Sequence, residues 1–587
     1  MKPEKTRVLL FLILLLAVAL RSAALFSLKD TVYYNFLLYD EEVYHHWAVK
    51  IAQGDFLYYA IHDFAPLYAW IMGGIYKLLS PDFFYIRIFN MLLGVITCYI
   101  LYLAGKELKD KWTGLIAALL ACIYKPFIFF NILIHKTSLS VFLFSSAVWL
   151  LVSLMKKDSL TKLIFAGFCT GLLINVRSNA IVIIPVIIFF ILKKLYKDRR
   201  PVKHLSLALF MFILGNTAAL APFGVINYKL THNFSVMPSG GFNLYIGNNT
   251  VNSEPYYRPL PFASSVPSLQ ATQFIIEAAR RTGERLTAKQ ASAFWTNEAI
   301  IVITQSPGKF ALKTGRKILA LLNRAEVADN HHIQFLSRFI NFLKLPLPGI
   351  WLILPFGLTA LLFFYSSSDT IKALFFVFWA YAFTLVVFFT NVRIRLPLMA
   401  IIIPMAAFGM SALYSTIKEK KRKQISKFAL AAAGLYLLAL VPVHGADDIT
   451  GHLNTHARAL SMAGKFDEAL TYWEESSGMD GSYSGYANLS LAGAAAQNGD
   501  MRKAHDYLDK IKPSSFTAAN KYSMKGDILR LENKEDEAVK AYARSLEINY
   551  GQIDVWKKLI LLKNKKDKNE AYEAYQQYKY VSSFYQN

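Results

Sequence analysis

The sequence predicts an all-α polytopic membrane protein (residues 1–444, about eleven spans) followed by an α-solenoid of helical repeats over 445–587. Three observations lead there. Of the 587 residues, 55% are hydrophobic and 18% charged, with a mean hydropathy of +0.32, which excludes a disordered or an ordinary soluble chain. The long apolar runs nearly all fall before residue 444, and the polar, Tyr- and Ala-rich remainder repeats itself at a period near 34.

The first apolar run, Val8 to Phe26, follows a basic start, approaches span length and lacks an A-x-A-like cleavage site, so it reads as a retained anchor. Residues 27–84 then form an acidic outer loop. Within it, Pro66 to Leu79 is short for a span and carries Tyr68, Trp70 and Tyr76, which suits an interfacial helix. Spans are expected near 86–105, 113–130, 137–155, 163–177, 179–194 and 204–223, and again near 349–366, 372–390, 396–415 and 428–443 after a hydrophilic outer segment at 224–345. This threading puts the basic clusters, such as those at Lys193–Lys203 and Lys418–Lys427, on the inside. The net charge of +24 is thereby explained by the positive-inside rule, without nucleic acid as a partner. The large loops and the C-terminal domain fall outside. Cys98, Cys122 and Cys169 lie in apolar spans with no C-x-x-C or Cys/His spacing, which argues against disulfides and zinc clusters.

The tail repeats a motif at Gly464-Lys465-Phe466-Asp467-Glu468-Ala469, Gly499-Asp500-Met501-Arg502-Lys503-Ala504, Asn533-Lys534-Glu535-Asp536-Glu537-Ala538 and Lys566-Asp567-Lys568-Asn569-Glu570-Ala571. The aligned alanines are 35, 34 and 33 residues apart, and Trp473, Leu508, Tyr542 or Tyr575 follows four residues later. A small residue admits the partner helix and the large one packs the neighbouring repeat, which is the tetratricopeptide pattern. Such arrays bind peptides or partner proteins, or stack on their own membrane domain.

The densest polar constellation is Tyr39-Asp40-Glu41-Glu42-Val43-Tyr44-His45-His46-Trp47, just outside the first span. On a helix starting near Asp40, Tyr44 and Trp47 share its face and Glu41 falls beside His45. Asp40 also fits a plain N-cap role. Adjacent histidines point apart, so no metal site is expected. Arg21, Arg87, Lys125, Lys136, Arg177, Arg393 and Arg395 all lie at or near outer span ends, where the charge rule does not favour them. Together they suit an anionic lipid head group, with snorkelling as the alternative for any single one. The Ser239–Asn249 segment, with Asn243 and Asn248, lacks P-loop or dinucleotide-fold context; it reads either as a sugar-lining loop or as a turn-and-bulge cluster. Glu326, Asp329, Asn330, His331 and His332 form a polar knot, read as loop solvation or acceptor binding.

An anchor followed by Asp40-Glu41 and Tyr44, then Gly54-Asp55-Phe56, Pro66-Leu67-Tyr68, and Arg87 with Asn90 and Gly94, resembles the opening of GT-C polyprenyl-phosphate-sugar glycosyltransferases, in the protein O-mannosyltransferase and aminoarabinose-transferase branch. The resemblance continues through Lys136, Arg177, Gly240-Gly241 with Gly247-Asn248-Asn249, and Arg393-Ile394-Arg395-Leu396-Pro397, covering residues 1 to about 420. The spans-plus-repeats layout is similar to O-mannosyltransferases that carry tetratricopeptide repeats. One departure is Asp63-Phe64-Ala65-Pro66, where aminoarabinose-type relatives have an acidic residue and a lysine before the prolines; it argues against lipid A aminoarabinose transfer.

The resemblance implies a polyprenyl-phosphate sugar donor, a protein or glycolipid hydroxyl acceptor and an inverting displacement. Asp40 would be the base, with Glu41 as a secondary carboxylate. Donor or acceptor contacts would come from Tyr44, Asp63, Arg87, Lys136, Arg177, Asn243, Asn248, Arg393 and Arg395. It implies no certain cofactor, leaves a divalent cation open, and points to a multi-pass protein of the inner (cytoplasmic) membrane, active on its outer, periplasmic side and surrounded by membrane lipids. The competing readings are a transporter or flippase of lipid-linked sugar and a membrane-anchored repeat scaffold binding a peptide partner.

Overall fold

The computed structural model describes residues 3–58, 64–232, 234, 240–443, 445 and 448–585. Its described elements are all helical, and they fall into two compact units: residues 1–237, 254–256 and 308–446 form one, and 238–253, 257–307 and 447–587 the other.

The first unit begins with α1 (Pro3–Lys29), α2 (Asp40–Ala52), α3 (Pro66–Leu78), α4 (Phe83–Leu108), α5 (Lys111–Ile123), α6 (Lys125–Asn131), α7 (Thr137–Lys156), α8 (Leu160–Ile174), α9 (Ile183–Lys197) and α10 (Val202–Thr231). The chain then supplies α11 (Gly240–Asn248), α12 (Pro267–Thr282) and α13 (Ala288–Gln305) to the second unit. It returns to the first with α14 (Pro307–Leu322), α15 (Ile333–Leu336), α16 (Ile350–Phe363), α17 (Asp369–Val387), α18 (Val392–Arg395), α19 (Met399–Lys418) and α20 (Arg422–Leu440).

Among the described residues, seven helical stretches are long and apolar enough to cross a membrane, or eight if the pair α5–α6, bent by 58°, is one span; α8 and α16 are shorter apolar helices. Helix starts follow local chemistry. Asp82, Asp110 and Ser159 accept hydrogen bonds from the backbone N–H groups of Phe84, Thr113 and Lys162 and so cap α4, α5 and α8. Small residues set the closest approach, because a Cβ on Gly167 of α8 would lie 2.0 Å from the Phe212 carbonyl oxygen of α10, and one on Gly215 would lie 2.1 Å from that of Ile164.

In the second unit, α21 (Thr450–Met462) to α28 (Lys568–Ser582) form four helix pairs: α21–α22 (Phe466–Gly478), α23 (Ser484–Gln497) with α24 (Met501–Asp509), α25 (Ala518–Leu531) with α26 (Glu535–Ile548), and α27 (Ile553–Asn564) with α28. Gly464, Gly499 and Asn533 take positive φ of 79°, 80° and 60° in the turns inside the first three pairs, which is why the motif begins with these residues. Ala469, Ala504, Ala538 and Ala571 are buried, as are Trp473, Leu508 and Tyr542; Tyr575, in the last pair, is exposed.

Two expectations change. The Gly/Asn segment is not a turn-and-bulge cluster over its described part but the helix α11, because Gly241 lets it press on the Ser292 carbonyl of α13 and donate its N–H to Ser292 Oγ at 3.0 Å. The long loop is also divided: residues 257–307 belong to the second unit, whereas 308–345 return to the first. Its α12 packs on the repeats: Ile276 is buried in the cluster that holds Leu529, Tyr542, Trp556 and Leu559, and Asn549 Nδ2 donates to Gln273 Oε1 at 3.1 Å.

Candidate active site

The site grows from the start of α2. Tyr39, its N-cap, has a positive φ of 47°, and the turn is held by Leu38 N–H donating to Glu41 Oε2 at 2.9 Å. Asp40 then opens the helix, buried on the face it shares with Tyr44 and Trp47.

Facing Asp40 is Arg393, on α18. Asn391 caps that helix by accepting from Ile394 N–H at 3.0 Å, and its side-chain amide donates to Asp329 Oδ2 at 2.6 Å. The Arg393 guanidinium lies between two carboxylates: Nη1 donates to Asp40 Oδ2, while Nε lies 2.5 Å from Asp329 Oδ2. Nη1 is also 2.7 Å from His135 Nε2, which sits 3.6 Å from the same Asp40 oxygen. The other imidazole nitrogen, Nδ1, is 2.6 Å from Thr137 Oγ1. Arg177 ties the group together by donating from Nη2 to the Arg393 carbonyl at 3.1 Å and to Thr137 Oγ1 at 3.4 Å. Lys136 Nζ lies 5.7 Å from the centroid of the Tyr44 ring, which packs edge-on against Phe64 and Tyr68.

Burial pushes the Asp40 carboxyl up, but Arg393, then His135 and Lys136, more than offset this and hold it well below the usual carboxylate range. Burial drives His135 down to about 3, so its ring is neutral. At neutral pH the centre is therefore an ionised carboxylate amid three cations, Lys136, Arg177 and Arg393, with a neutral imidazole.

The remaining expected residues take other places. Glu41 does not pair with His45: its Oε1 is 3.2 Å from His331 Nε2, and His45 Nδ1 instead faces the Tyr76 hydroxyl at 3.1 Å. Glu41 is thus an anchor between two loops. Arg87 donates to the carbonyls of Ile132 at 3.1 Å and Tyr34 at 2.7 Å, and Asn90 bonds the Tyr68 hydroxyl and the Leu133 carbonyl. These two side chains of α4 position the 132–136 segment that carries His135 and Lys136. Arg395 is engaged by main-chain carbonyls, those of Ala320, Leu321, Asn323 and Ala325, and so caps the end of α14. Arg21 is bonded to Asn131 and to the Ala17 carbonyl inside the helical bundle, and Lys125 to the Leu343 carbonyl. The expected ring of seven cations therefore divides into three at Asp40 and four that fasten segments together. Asn243 and Asn248 lie on α11 in the second unit, and Asp63 falls outside the described residues.

The polar knot is neither solvated nor a single patch. Glu326, His331 and His332 are buried, Asp329 and Asn330 half-buried, and they divide their work: Asp329 holds Arg393, His331 meets Glu41, and the burial-raised carboxyl of Glu326 sits in the field of Arg395. His135 and Asp329 are functional candidates absent from the expected site. Their only local signals are a position beside Lys136 and membership of the knot. Among the described residues no group of three or more His, Cys, Asp or Glu is placed to hold a metal ion, and the position between Asp40 and Asp329 is filled by a guanidinium.

Residues 63–217 match the model of the dolichyl-phosphate-mannose-protein mannosyltransferase family. That stretch is thus similar to a glycosyltransferase family. It contains Arg87, His135, Lys136 and Arg177. Residues 455–567 match a tetratricopeptide repeat-like domain, in keeping with the four helix pairs. No curated protein matches the chain. Solved structures with a similar trace include the oligosaccharyltransferase of Archaeoglobus fulgidus in the apo form, at 14% identity and a TM-score of 0.41 over 80% of this chain and 60% of that one. The A. fulgidus enzyme AglB in complex with an inhibitory peptide and a dolichol-phosphate aligns at 15% identity and 0.40, over 80% and 59%. A complex of the A. fulgidus enzyme with Zn and sulfate aligns at 15% and 0.40, over 79% and 56%. The chain thus spans about three fifths of the length of these structures.

Proposed function

We propose that the first unit is a membrane glycosyltransferase that moves a sugar from a polyprenyl-phosphate donor to a hydroxyl acceptor, protein or glycolipid, at the outer face of the cytoplasmic membrane. The observation that carries the reading is the buried Asp40 carboxylate set among Arg393, Lys136 and Arg177, with both of the latter inside the segment that matches the mannosyltransferase family.

In this reading Asp40 removes the acceptor hydroxyl proton as that oxygen attacks the anomeric carbon. The bond to the phosphate oxygen breaks on the opposite side, so one displacement inverts the configuration. A lipid phosphate departs as an anion, and Lys136, Arg177 and Arg393 stabilise the charge it gains. At rest Asp40 is a weak base because Arg393 holds it. A donor phosphate competes for that guanidinium, and as the ion pair loosens the carboxylate regains basicity where it is needed. Neutral His135, beside both groups, keeps Asp40 oriented. The repeat-bearing unit presents or recruits the acceptor.

The test is transfer by the purified protein in detergent, where translocation cannot register, with a panel of polyprenyl-phosphate sugars of known anomeric configuration and a membrane-protein extract as acceptor. The expected result is free polyprenyl phosphate with the sugar on the acceptor in inverted configuration. A retained configuration would contradict the single displacement, and absence of transfer with every donor would contradict the enzyme reading.

A further inference from the structure

Asp40 and Arg393 stand on different elements, α2 and α18, and one short segment sets the gap between them. Residues 327–331 hold both sides. Val392 N–H donates to the Val327 carbonyl at 2.9 Å, and Asn391 Nδ2 and Arg393 Nε both meet Asp329 Oδ2, so the segment is fastened to the α18 turn through main chain and side chains alike. Two residues on, His331 Nε2 lies 3.2 Å from Oε1 of Glu41, the neighbour of Asp40.

The two carboxylates on Arg393 are therefore not equivalent. Asp329 is tied to the guanidinium's own turn through Asn391 and the Val392–Val327 bond, whereas Asp40 meets it from a separate helix. An incoming anion displaces the partner held by fewer links, and that partner is Asp40. The guanidinium then keeps Nε on Asp329 and offers its other edge: Nη1, which Asp40 releases, and Nη2, on which no hydrogen bond falls among the described residues. Two N–H donors on one edge match two oxygens of a phosphate. Charge adds a second effect. Asp329 sets its negative charge against Arg393 and so lowers the positive field in which a phosphate at that edge sits.

We propose that Asp329 is a positioning residue that holds Arg393 in place while the other guanidinium edge passes from Asp40 to the donor phosphate, and that its charge keeps this grip weak enough for the spent lipid phosphate to leave. The proposal rests on the glycosyltransferase reading. Position and charge are separable at this side chain, because an amide or a hydroxyl also carries an acceptor oxygen for Arg393 Nε and Asn391 Nδ2 but no charge.

The test is native mass spectrometry of the full-length protein with polyprenyl phosphate, alongside steady-state kinetics with a polyprenyl-phosphate sugar, for wild type, Asp329→Asn, Asp329→Ser and Asp329→Ala. Asn and Ser remove the charge and keep an acceptor; Ala removes both. The expected result is polyprenyl-phosphate binding about threefold to tenfold tighter than wild type in Asp329→Asn or Asp329→Ser, with donor KM and kcat falling together, and binding about tenfold weaker than that in Asp329→Ala. A residue that served stability alone would raise KM or leave it unchanged in all three. Asn and Ser variants that bind no more tightly than wild type, that bind no better than Asp329→Ala, or that are both not recovered as folded protein overturn the role of Asp329 alone. No saturable binding by wild type overturns the donor reading beneath it.

Discussion

At the scale of the residue, the account turns on one guanidinium shared by two carboxylates. Arg393 holds Asp40 ionised and is itself held by Asp329, so its removal leaves Asp40 with burial, which raises its carboxyl, and with weaker opposition from His135 and Lys136. The sign follows. Because the carboxyl is depressed in the free protein, the acid limb of kcat/KM lies below the ordinary carboxylate range in wild type and moves to higher pH in Arg393→Met, which a pH–rate profile measures. The same depression contributes to stability above the unfolded carboxyl pKa of about 3.9, and this contribution is lost as pH falls through the lower folded value. Lys136, Arg177 and Arg393 were legible in the sequence because each stands at or near the outer end of an apolar run, where a charge is conspicuous, and Asp40 because it belongs to the densest polar constellation outside the first span. His135 and Asp329 were not, since their significance comes from contacts to Arg393 across 258 and 64 residues of chain, and no local pattern encodes such contacts.

At the scale of the element, Glu41 shows how neighbours in sequence divide into chemistry and support. Asp40 faces the cations, whereas Glu41, one residue on, joins the start of α2 to the 329–332 loop through His331 and fixes the turn through Leu38. Glu41→Gln is therefore expected to cost ~1–3 kcal/mol of stability, seen as a lower Tm, and to reduce kcat far less than a change at Asp40. Equal loss of activity in the two variants would place Glu41 in the chemistry instead. The helical period placed α2 in the sequence and so put Asp40, Tyr44 and Trp47 on one face. It did not show that Glu41 would choose His331 over His45, because that choice depends on a loop some 290 residues away. Segment 240–248 was misread for a related reason: two glycines suggested a turn, but Gly241 serves close packing against α13.

At the scale of the whole molecule, the repeats and the apolar, all-helical membrane part were plain from periodicity and hydropathy, both of which are local signals, whereas against the eleven expected spans the described residues hold seven or eight helices of membrane length and two shorter apolar ones. The affiliation of the long hydrophilic segment was not plain. Residues 257–307 share a core with the repeats through Ile276 and a buried amide pair between Gln273 and Asn549, and a single sequence carries no mark of that partnership. Deleting residues 448–585 is therefore expected to strip α12 of its cover. Limited proteolysis should cut the shortened protein within 257–307 while the full-length protein resists there. Equal resistance would mean that the segment is stable without the repeats.

The central claim is that an ionised Asp40 activates the acceptor hydroxyl. Its most direct test is mass spectrometry of acceptors after incubation with a polyprenyl-phosphate sugar, comparing wild type with Asp40→Asn, a near-isosteric change that removes the base. The account predicts sugar on the acceptor with wild type and none with Asp40→Asn, in a variant that is still purified as a folded protein. Transfer by Asp40→Asn at the wild-type rate would contradict it.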